Sequence, residues 1–128
     1  MGNASITVID PKWAIDFAEE WIAAWNSHDL ERIFSHYTDD FEMVSPLIIQ
    51  RMGEPSGRLR GKDRIRPYWQ QGLAAQPPLR FELVDLFVGV DSVTIHYRSL
   101  GRGMAAEVLT VNAEGKTIHG VAHYASNV

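Results

Sequence analysis

The chain has 128 residues, a mass of 14.4 kDa and a formal net charge of −4, with 45% hydrophobic and 22% charged residues. These values are typical of a soluble globular protein, predict a single domain over residues 1–128, and argue against a nucleic-acid partner, which would require a basic face. The sequence contains no cysteine, which excludes disulfides, zinc–thiolate sites and thiol nucleophiles.

The N-terminal segment lacks a targeting signal and leads into a helix. Residues 1–10 have no basic region followed by an apolar one, and no stretch of the chain approaches the roughly 20 apolar residues of a membrane span. We therefore expect a cytoplasmic protein with no membrane partner.

Asp10 and Pro11 are typical of a helix start, as N-cap and first helical residue. The apolar face of this helix has helical spacing: Trp13, Ala14, Phe17, Ala18, Trp21, Ala24 and Trp25.

Two further helices, one strand and one long loop follow in the predicted order. Apolar spacing indicates a short second helix over residues 29–36, and a strand over residues 41–45 comes after an acidic turn. Residues 46–61 are rich in proline, glycine and arginine, which predicts a loop over the mouth of the domain. Residues 62–74 are expected to form the third helix. Its buried side chains would be Ile65, Tyr68, Trp69 and Leu73.

The second half of the chain has β-rich composition and alternating apolar residues, interrupted by turn sequences. This pattern predicts a meander of long antiparallel strands. The predicted fold is therefore α+β, with helices packed on one face of a curved sheet. The four expected strands cover residues 79–90, 92–100, 103–112 and 116–126.

Alternation along each strand predicts which side chains face the helices. In the first clear case Val93, Ile95 and Tyr97 point inward. In the last strand the small and apolar set is the better candidate for the inner face: Ile118, Gly120, Ala122 and Tyr124. The outer face would then carry three histidines, and we expect it to lie at a subunit interface: His96, His119 and His123.

Glu107 is the main candidate for chemistry. It shares one side of its strand with Ala105, Leu109 and Val111, and if that side faces inward, the carboxyl group lies in an apolar cavity. Desolvation would then raise the pKa of Glu107, which would make it an acid or a hydrogen-bond donor. The alternative is that Glu107 faces outward or pairs with a nearby arginine.

Other polar patterns in the sequence give weaker indications of a functional site. His119 and His123 would lie about 13 Å apart on a strand, too far to share a metal, and no cofactor motif has the required context. We therefore expect neither a metal nor a cofactor. Four arginines near the expected mouth either attract an anionic ligand or form a solvated charged face: Arg58, Arg60, Arg64 and Arg66.

Three stretches together resemble a known family: WIAAWNSHDLERIFSHYTDDFEMVSP, GRLRGKDRIRPYW and EGKTIHGVAHYAS. They are similar to the SnoaL-like branch of the nuclear transport factor 2 superfamily, and the resemblance covers nearly the whole chain. It implies a cone of three helices clasped by a bent mixed sheet around a hydrophobic pocket, with dimers formed through the outer face of the sheet. Because this superfamily includes isomerases, epoxide hydrolases, cyclases, dehydratases and binding proteins, function must be argued from the site.

The resemblance also places three residues at the catalytic positions of ketosteroid isomerases. Ser45 matches the general base, Trp21 matches the catalytic tyrosine, and Glu107 matches the protonated aspartate. An unassisted serine hydroxyl is too weak a base to remove a proton next to a carbonyl, which argues against steroid isomerisation. We favour Ser45 as a polar wall of the pocket. In the epoxide hydrolases the last-strand aspartate matches Ala122, which has no carboxylate, so the resemblance argues against that chemistry as well.

Two hypotheses follow. The first is a dimeric protein that binds a small apolar molecule, cyclic ones included, with Glu107 as the acid or donor of an isomerase, cyclase or dehydratase. The second is a ligand carrier or protein-interaction module without chemistry. The expected ligand-binding residues are Trp21, Trp25, Met43, Ser45, Tyr68, Trp69, Tyr97, Leu109 and Tyr124.

Overall fold

The computed structural model describes residues 9–126. Residues 1–8 and 127–128 lie outside that range, and with them most of the segment on which the expected lack of a secretion signal depends. Within the described range, none of the helices is both long and apolar enough to cross a membrane.

The first helix, α1 (Pro11–Ser27), begins and ends as the sequence predicts. Pro11 is its first residue, although the Asp10 side chain makes no capping hydrogen bond. His28 ends the helix in the left-handed conformation, with φ of 60°. The buried face consists of Ala14, Phe17, Ala18, Trp21, Ala24 and Trp25, which confirms the predicted periodicity.

The second helix is shorter than predicted and the first strand is longer. Helix α2 (Leu30–Phe34) is capped by the Asp29 carboxylate, which accepts hydrogen bonds from two backbone N–H groups. Strand β1 (Tyr37–Val44) begins four residues before the predicted start because Tyr37 already pairs with Thr117.

Residues 46–61 are not a simple loop, which corrects the prediction. They contain helix α3 (Pro46–Met52) and strand β2 (Arg58–Arg60), and β2 pairs antiparallel with β1. The helix has a clear cause: Ser45 accepts a hydrogen bond from the Leu47 N–H, Pro46 is the first residue, and Gly53 ends it at φ of 66°. The described residues therefore contain four helices rather than the predicted three.

The remaining elements occur where they were expected. Helix α4 (Lys62–Leu73) buries Ile65, Tyr68 and Trp69. Four strands then complete the sheet: β3 (Phe81–Val88), β4 (Ser92–Ser99), β5 (Gly103–Val111) and β6 (Thr117–Tyr124).

The six strands form one open sheet in the order β2-β1-β6-β5-β4-β3. All neighbours are antiparallel except β1 and β6, which are parallel, so the sheet is mixed. The inner face of the sheet and the helices enclose a core that is rich in aromatic side chains. This is the α+β cone that the sequence predicted.

The predicted inner face is confirmed on β4 and β5 and wrong at one end of β6. Val93, Ile95 and Tyr97 are buried, and so is Glu107. Ile118, expected to face inward, is 41% exposed. The cause is an irregularity in the pairing of β5 with β6: His119 and Thr117 have partner residues on β5, and Ile118 between them has none. The alternation of inward and outward side chains is therefore reversed at the start of β6.

Candidate functional site

A cavity of about 330 Å³ lies between the inner face of the sheet and helices α3 and α4. Its wall is mostly apolar and aromatic. Exposed residues from α3, from the turn between β4 and β5, and from the end of β6 mark its mouth. The lining residues are Trp25, Met43, Leu47, Arg51, Tyr68, Trp69, Gly72, Ala75, Leu79, Phe81, Tyr97, Ser99, Arg102, Gly103, Met104, Ala105, Glu107, Tyr124 and Ala125.

Glu107 lies in the cavity wall at the middle of β5. It pairs with Ile95 of β4 and Ala122 of β6, so it is flanked by two strands that present apolar side chains on the same face. The Tyr97 hydroxyl donates a hydrogen bond of 2.8 Å to Glu107 Oε2. Oε1 has no hydrogen-bond partner within residues 9–126. One carboxyl oxygen is therefore held by the protein, and the other is not.

Burial raises the pKa of Glu107 to about 7, and the hydrogen bond from Tyr97 opposes that rise. Burial and the nearby Glu107 carboxylate raise the pKa of Tyr97 well above its ordinary value. The phenol therefore keeps its proton and acts as a neutral donor. Near neutral pH the Glu107 carboxyl is present in both protonated and ionised forms.

A second group of hydroxyls lies near the cavity. The Tyr68 hydroxyl donates to Ser45 Oγ at 3.1 Å, and the Tyr124 hydroxyl interacts with both Ser45 and Tyr68. Burial followed by the Glu107 charge raises the pKa of Tyr124, so this phenol also keeps its proton. Ser45 itself is fully buried and caps α3, and its hydroxyl accepts from the Leu47 N–H at 3.1 Å.

Trp21 lies behind the cavity wall. Its indole Nε1 donates a hydrogen bond of 2.9 Å to the Tyr37 hydroxyl, and its ring packs against Phe81 and Tyr97 with centroids 5.9 and 5.3 Å away. The side chain is 1% exposed. Trp21 therefore supports two residues of the wall, Phe81 and Tyr97, without lining the cavity.

The structure brings most of the predicted site residues together. Trp25, Met43, Tyr68, Trp69, Tyr97, Tyr124 and Glu107 line the cavity. Trp21, Ser45 and Leu109 do not line the cavity, and all three are buried behind its wall. Leu109 packs beside Gly120, where an added Cβ would lie 3.2 Å from both the Leu109 side chain and Met43 Sδ. Glycine at this position lets these two side chains pack against β6.

Sequence reasoning missed several lining residues, of which Arg51 and Arg102 have the most chemical consequence. Arg51 lies in the last turn of α3, the helix that was predicted to be loop. The signal was present in the serine-proline start and the glycine that follows Met52. Arg102 lies in the turn between β4 and β5, and its approach to the cavity depends on tertiary structure.

The arginine cluster predicted near the mouth does not line the cavity. Arg58 pairs with Glu42 at 3.3 Å, and Arg60 donates to the Asp40 carbonyl at 3.2 Å. Arg66 pairs with Glu31. These contacts favour the interpretation as a solvated charged face.

No cluster suited to a metal is found among residues 9–126, where histidine, aspartate and glutamate side chains do not gather in groups of three or more around a common point. His119 contacts Glu42 at 3.1 Å instead. His96 and His123 both flank Ala106 in the sheet register, so they share the outer face.

Among solved structures, one protein is similar to this chain in both sequence and structure, and others share its fold at low sequence identity. A SnoaL-like protein of unknown function from Burkholderia thailandensis is 49% identical, with a TM-score of 0.87, over 93% of this chain and 99% of that one. AclR from Streptomyces galilaeus, provisionally described as a hydroxylase, is 18% identical, with a TM-score of 0.71, over 92% of each chain.

A third similar structure, from Agrobacterium tumefaciens, is provisionally described as an isomerase of the SnoaL-like family. It is 17% identical, with a TM-score of 0.69, over 90% of this chain and 99% of that one. No curated protein matches the chain in sequence. The model of the SnoaL-like domain family matches residues 18–126. The chain therefore belongs to the SnoaL-like family.

Proposed function

We propose that the protein binds a small apolar molecule, cyclic ones included, in its cavity and that Glu107 exchanges a proton with it. The observation that carries this proposal is the position of Glu107: a carboxyl group with a pKa of about 7 lies in an otherwise apolar cavity wall. A pKa close to the working pH is the condition under which one group serves efficiently as both acid and base.

The two carboxyl oxygens have different roles in this proposal. Tyr97 holds Oε2 and fixes the plane of the carboxyl group. Oε1 faces the ligand. When ionised, it removes a proton from a carbon next to a carbonyl. When protonated, it returns that proton at another carbon, or donates it to a leaving hydroxyl. Isomerisation, cyclisation and dehydration all contain such a step.

Tyr97 and Tyr124 orient the ligand in this proposal. Both hydroxyls belong to residues that line the cavity, and both keep their protons because burial raises the pKa of each phenol. The neutral Tyr124 phenol can donate to a ligand oxygen and stabilise negative charge that develops there, whereas the single hydroxyl proton of Tyr97 is used in the bond to Glu107, so Tyr97 contacts the ligand through its ring. Ser45 is not the base in this scheme, since its hydroxyl already accepts from Leu47 and Tyr68.

The proposal can be tested with a general proton-transfer probe, 2-tetralone, whose protons next to the carbonyl exchange with deuterium in heavy water. NMR would measure the exchange rate with wild-type protein, with Glu107→Gln and with Glu42→Gln. We expect the wild type and Glu42→Gln to accelerate exchange, because Glu42 pairs with Arg58 and His119 away from the cavity.

The expected loss in Glu107→Gln is about 100-fold or more, the usual contribution of a general base. Quenching of tryptophan fluorescence measures binding separately, since Trp25 and Trp69 line the cavity. Equal acceleration by Glu107→Gln and wild type, or none by either, would contradict the proposed role of Glu107.

A second candidate function is a ligand carrier without chemistry. One observation favours it: among the described residues that line the cavity, Glu107 is the single carboxyl group and histidine is absent. A carrier would bind 2-tetralone equally well as wild type and as Glu107→Gln, and neither protein would accelerate exchange. The size of the cavity favours an enzyme or a carrier over a pure protein-interaction module.

We also propose a homodimer through the outer face of the sheet. Val44, Val121, Val108, Thr94 and Phe87 follow one another across five neighbouring strands, and Phe87 is 56% exposed. Such a continuous, largely apolar row is suited to cover by a second copy. Sedimentation should give twice the chain mass for the wild type and a monomer for Val108→Asp. A wild-type monomer would contradict the proposal.

A further inference from the structure

The two arginines at the mouth of the cavity suggest a further feature of the ligand. Arg51 and Arg102 both line the cavity and are exposed, and they approach it from α3 and from the turn between β4 and β5. Apart from Glu107, the described lining residues carry no acidic side chain. The rim of the cavity is therefore positively charged.

Both guanidinium groups have hydrogen-bonding capacity to spare. Arg102 Nη2 donates to the Pro77 carbonyl at 2.6 Å, which uses one nitrogen and fixes the group. Arg51 Nη1 lies 3.5 Å from the position that a Cβ on Gly72 would occupy, so this group rests against α4. Within residues 9–126, neither side chain forms an ion pair with a carboxylate.

Arginines elsewhere on the surface show what these two lack. Arg32 pairs with Glu20 at 2.8 Å, Arg58 with Glu42 at 3.3 Å and Arg98 with Glu82 at 3.2 Å. A guanidinium presents a planar set of donors that matches a carboxylate in a two-point contact. At the mouth, that contact is open to a ligand.

We propose that the ligand is an amphipathic carboxylic acid whose apolar body fills the cavity and whose carboxylate lies at the mouth between Arg51 and Arg102. This inference rests on the proposed function, since it names the class of molecule that the same cavity binds. It also fixes the orientation of the ligand: the end away from the carboxylate reaches Glu107.

A matched pair of probes tests this orientation: 2-naphthoate and its neutral methyl ester, methyl 2-naphthoate. Calorimetry would measure binding of both to wild type and to the double variant Arg51→Gln/Arg102→Gln. We expect the wild type to bind the acid about tenfold more tightly than the ester, the usual value of a charge-assisted contact. The double variant should lose this preference while its affinity for the ester stays unchanged.

Arg58→Gln provides the matched control, because it removes a charge of the same kind outside the cavity and should keep the preference. An ester that binds the wild type as tightly as the acid, or a preference that survives in the double variant, overturns the inference and leaves the apolar cavity intact. If neither probe binds any of the proteins, both the inference and the proposed binding function fail. Loss of the preference in Arg58→Gln would also contradict the inference, because the preference would then come from the overall charge of the protein and not from Arg51 and Arg102.

Discussion

Glu107 and Glu20 carry the same side chain, and their surroundings shift its acidity in opposite directions. Glu107 lies in the cavity wall, where burial raises its pKa to about 7. Glu20 lies on the solvent side of α1, where hydrogen bonds from Arg32, and then from His36, lower its pKa to about 2. Burial also acts on Glu20, in the direction of a higher pKa, but the hydrogen bonds and the Arg32 charge outweigh it.

This comparison shows which acid is available for chemistry at neutral pH. Glu20 is fully ionised and both of its oxygens are occupied, at 2.8 and 3.0 Å from Arg32 and 3.1 Å from His36. Glu107 exchanges its proton near neutral pH and has one oxygen without a partner within residues 9–126. A buried carboxyl group without a cationic partner lowers the free energy of unfolding at neutral pH, and such groups are typical of functional sites.

The largest predicted effect concerns stability against pH. Because the pKa of Glu107 is about 7 in the folded protein and 4.5 ordinarily, the folded state binds more protons than the unfolded state between these values. The free energy of unfolding should therefore fall as pH rises from 4.5 through 7, by about 3 kcal/mol from this group. Urea unfolding at several pH values measures the fall.

Glu107→Gln is the control, since it keeps the shape of the side chain and removes its titration. The difference between wild type and variant isolates Glu107 from the other titrating groups. Parallel stability curves for the two proteins between pH 4.5 and 8 would contradict the prediction.

Tyr97→Phe sharpens the comparison at the buried site. Loss of the hydroxyl removes the hydrogen bond that favours the ionised form of Glu107, so the pKa of Glu107 should rise further above about 7. We also expect a cost of about 1 kcal/mol to the free energy of unfolding at alkaline pH. Tyr68→Phe is the matched control, because the Tyr68 hydroxyl donates to Ser45 instead. An equal pKa shift in both variants would refute the specific role of Tyr97.

A loss of stability of similar size is expected when Ser45 is replaced, for a reason unrelated to charge. Ser45→Ala removes the cap of α3 and the acceptor for the Tyr68 hydroxyl, at a cost of about 1 kcal/mol in the free energy of unfolding. Thermal unfolding of Ser45→Ala and of the wild type measures this cost. The helix account of residues 46–52 is wrong if the two proteins are equally stable.

The smallest effect is expected at Glu20. Arg32→Gln should return the pKa of Glu20 toward 4.5. Because the folded-state pKa of Glu20 is lowered, this group stabilises the wild type above pH 4.5, and that contribution is lost as pH falls from 4.5 toward 2. Both side chains are about 40% exposed, so solvent screens the pair and the expected cost at neutral pH is small. Unfolding at low and high salt checks this. A cost that is large and insensitive to salt would contradict it.

Much of the fold follows from periodicity in the sequence. The apolar spacing of α1 and α4 and the alternation along β4 and β5 are strong because each of these elements buries one face. Helix α3 was missed because its proline- and arginine-containing composition outweighed its capping residues, Ser45 and Gly53. The irregularity at Ile118 could not be predicted, since it depends on how β6 pairs with β5.

The site was predictable to the extent that it depends on strand alternation. That rule placed Tyr97 and Glu107 on the inner face, although it left open whether Glu107 was buried or paired with an arginine. The structure gives Tyr97 as its partner. The contributions of Arg51 and Arg102 were not predictable, because they follow from how α3 and a distant turn approach the same opening.

The most direct test of this account is the titration of the Glu107 carboxyl carbon by NMR, in protein labelled with carbon-13 glutamate and with the signal assigned by its loss in Glu107→Gln. The account predicts a midpoint near pH 7, well above the ordinary value of 4.5 and above that of Glu20. A midpoint at or below the ordinary value of 4.5 would show that Glu107 is ionised throughout the neutral range, and would contradict its role as a proton donor.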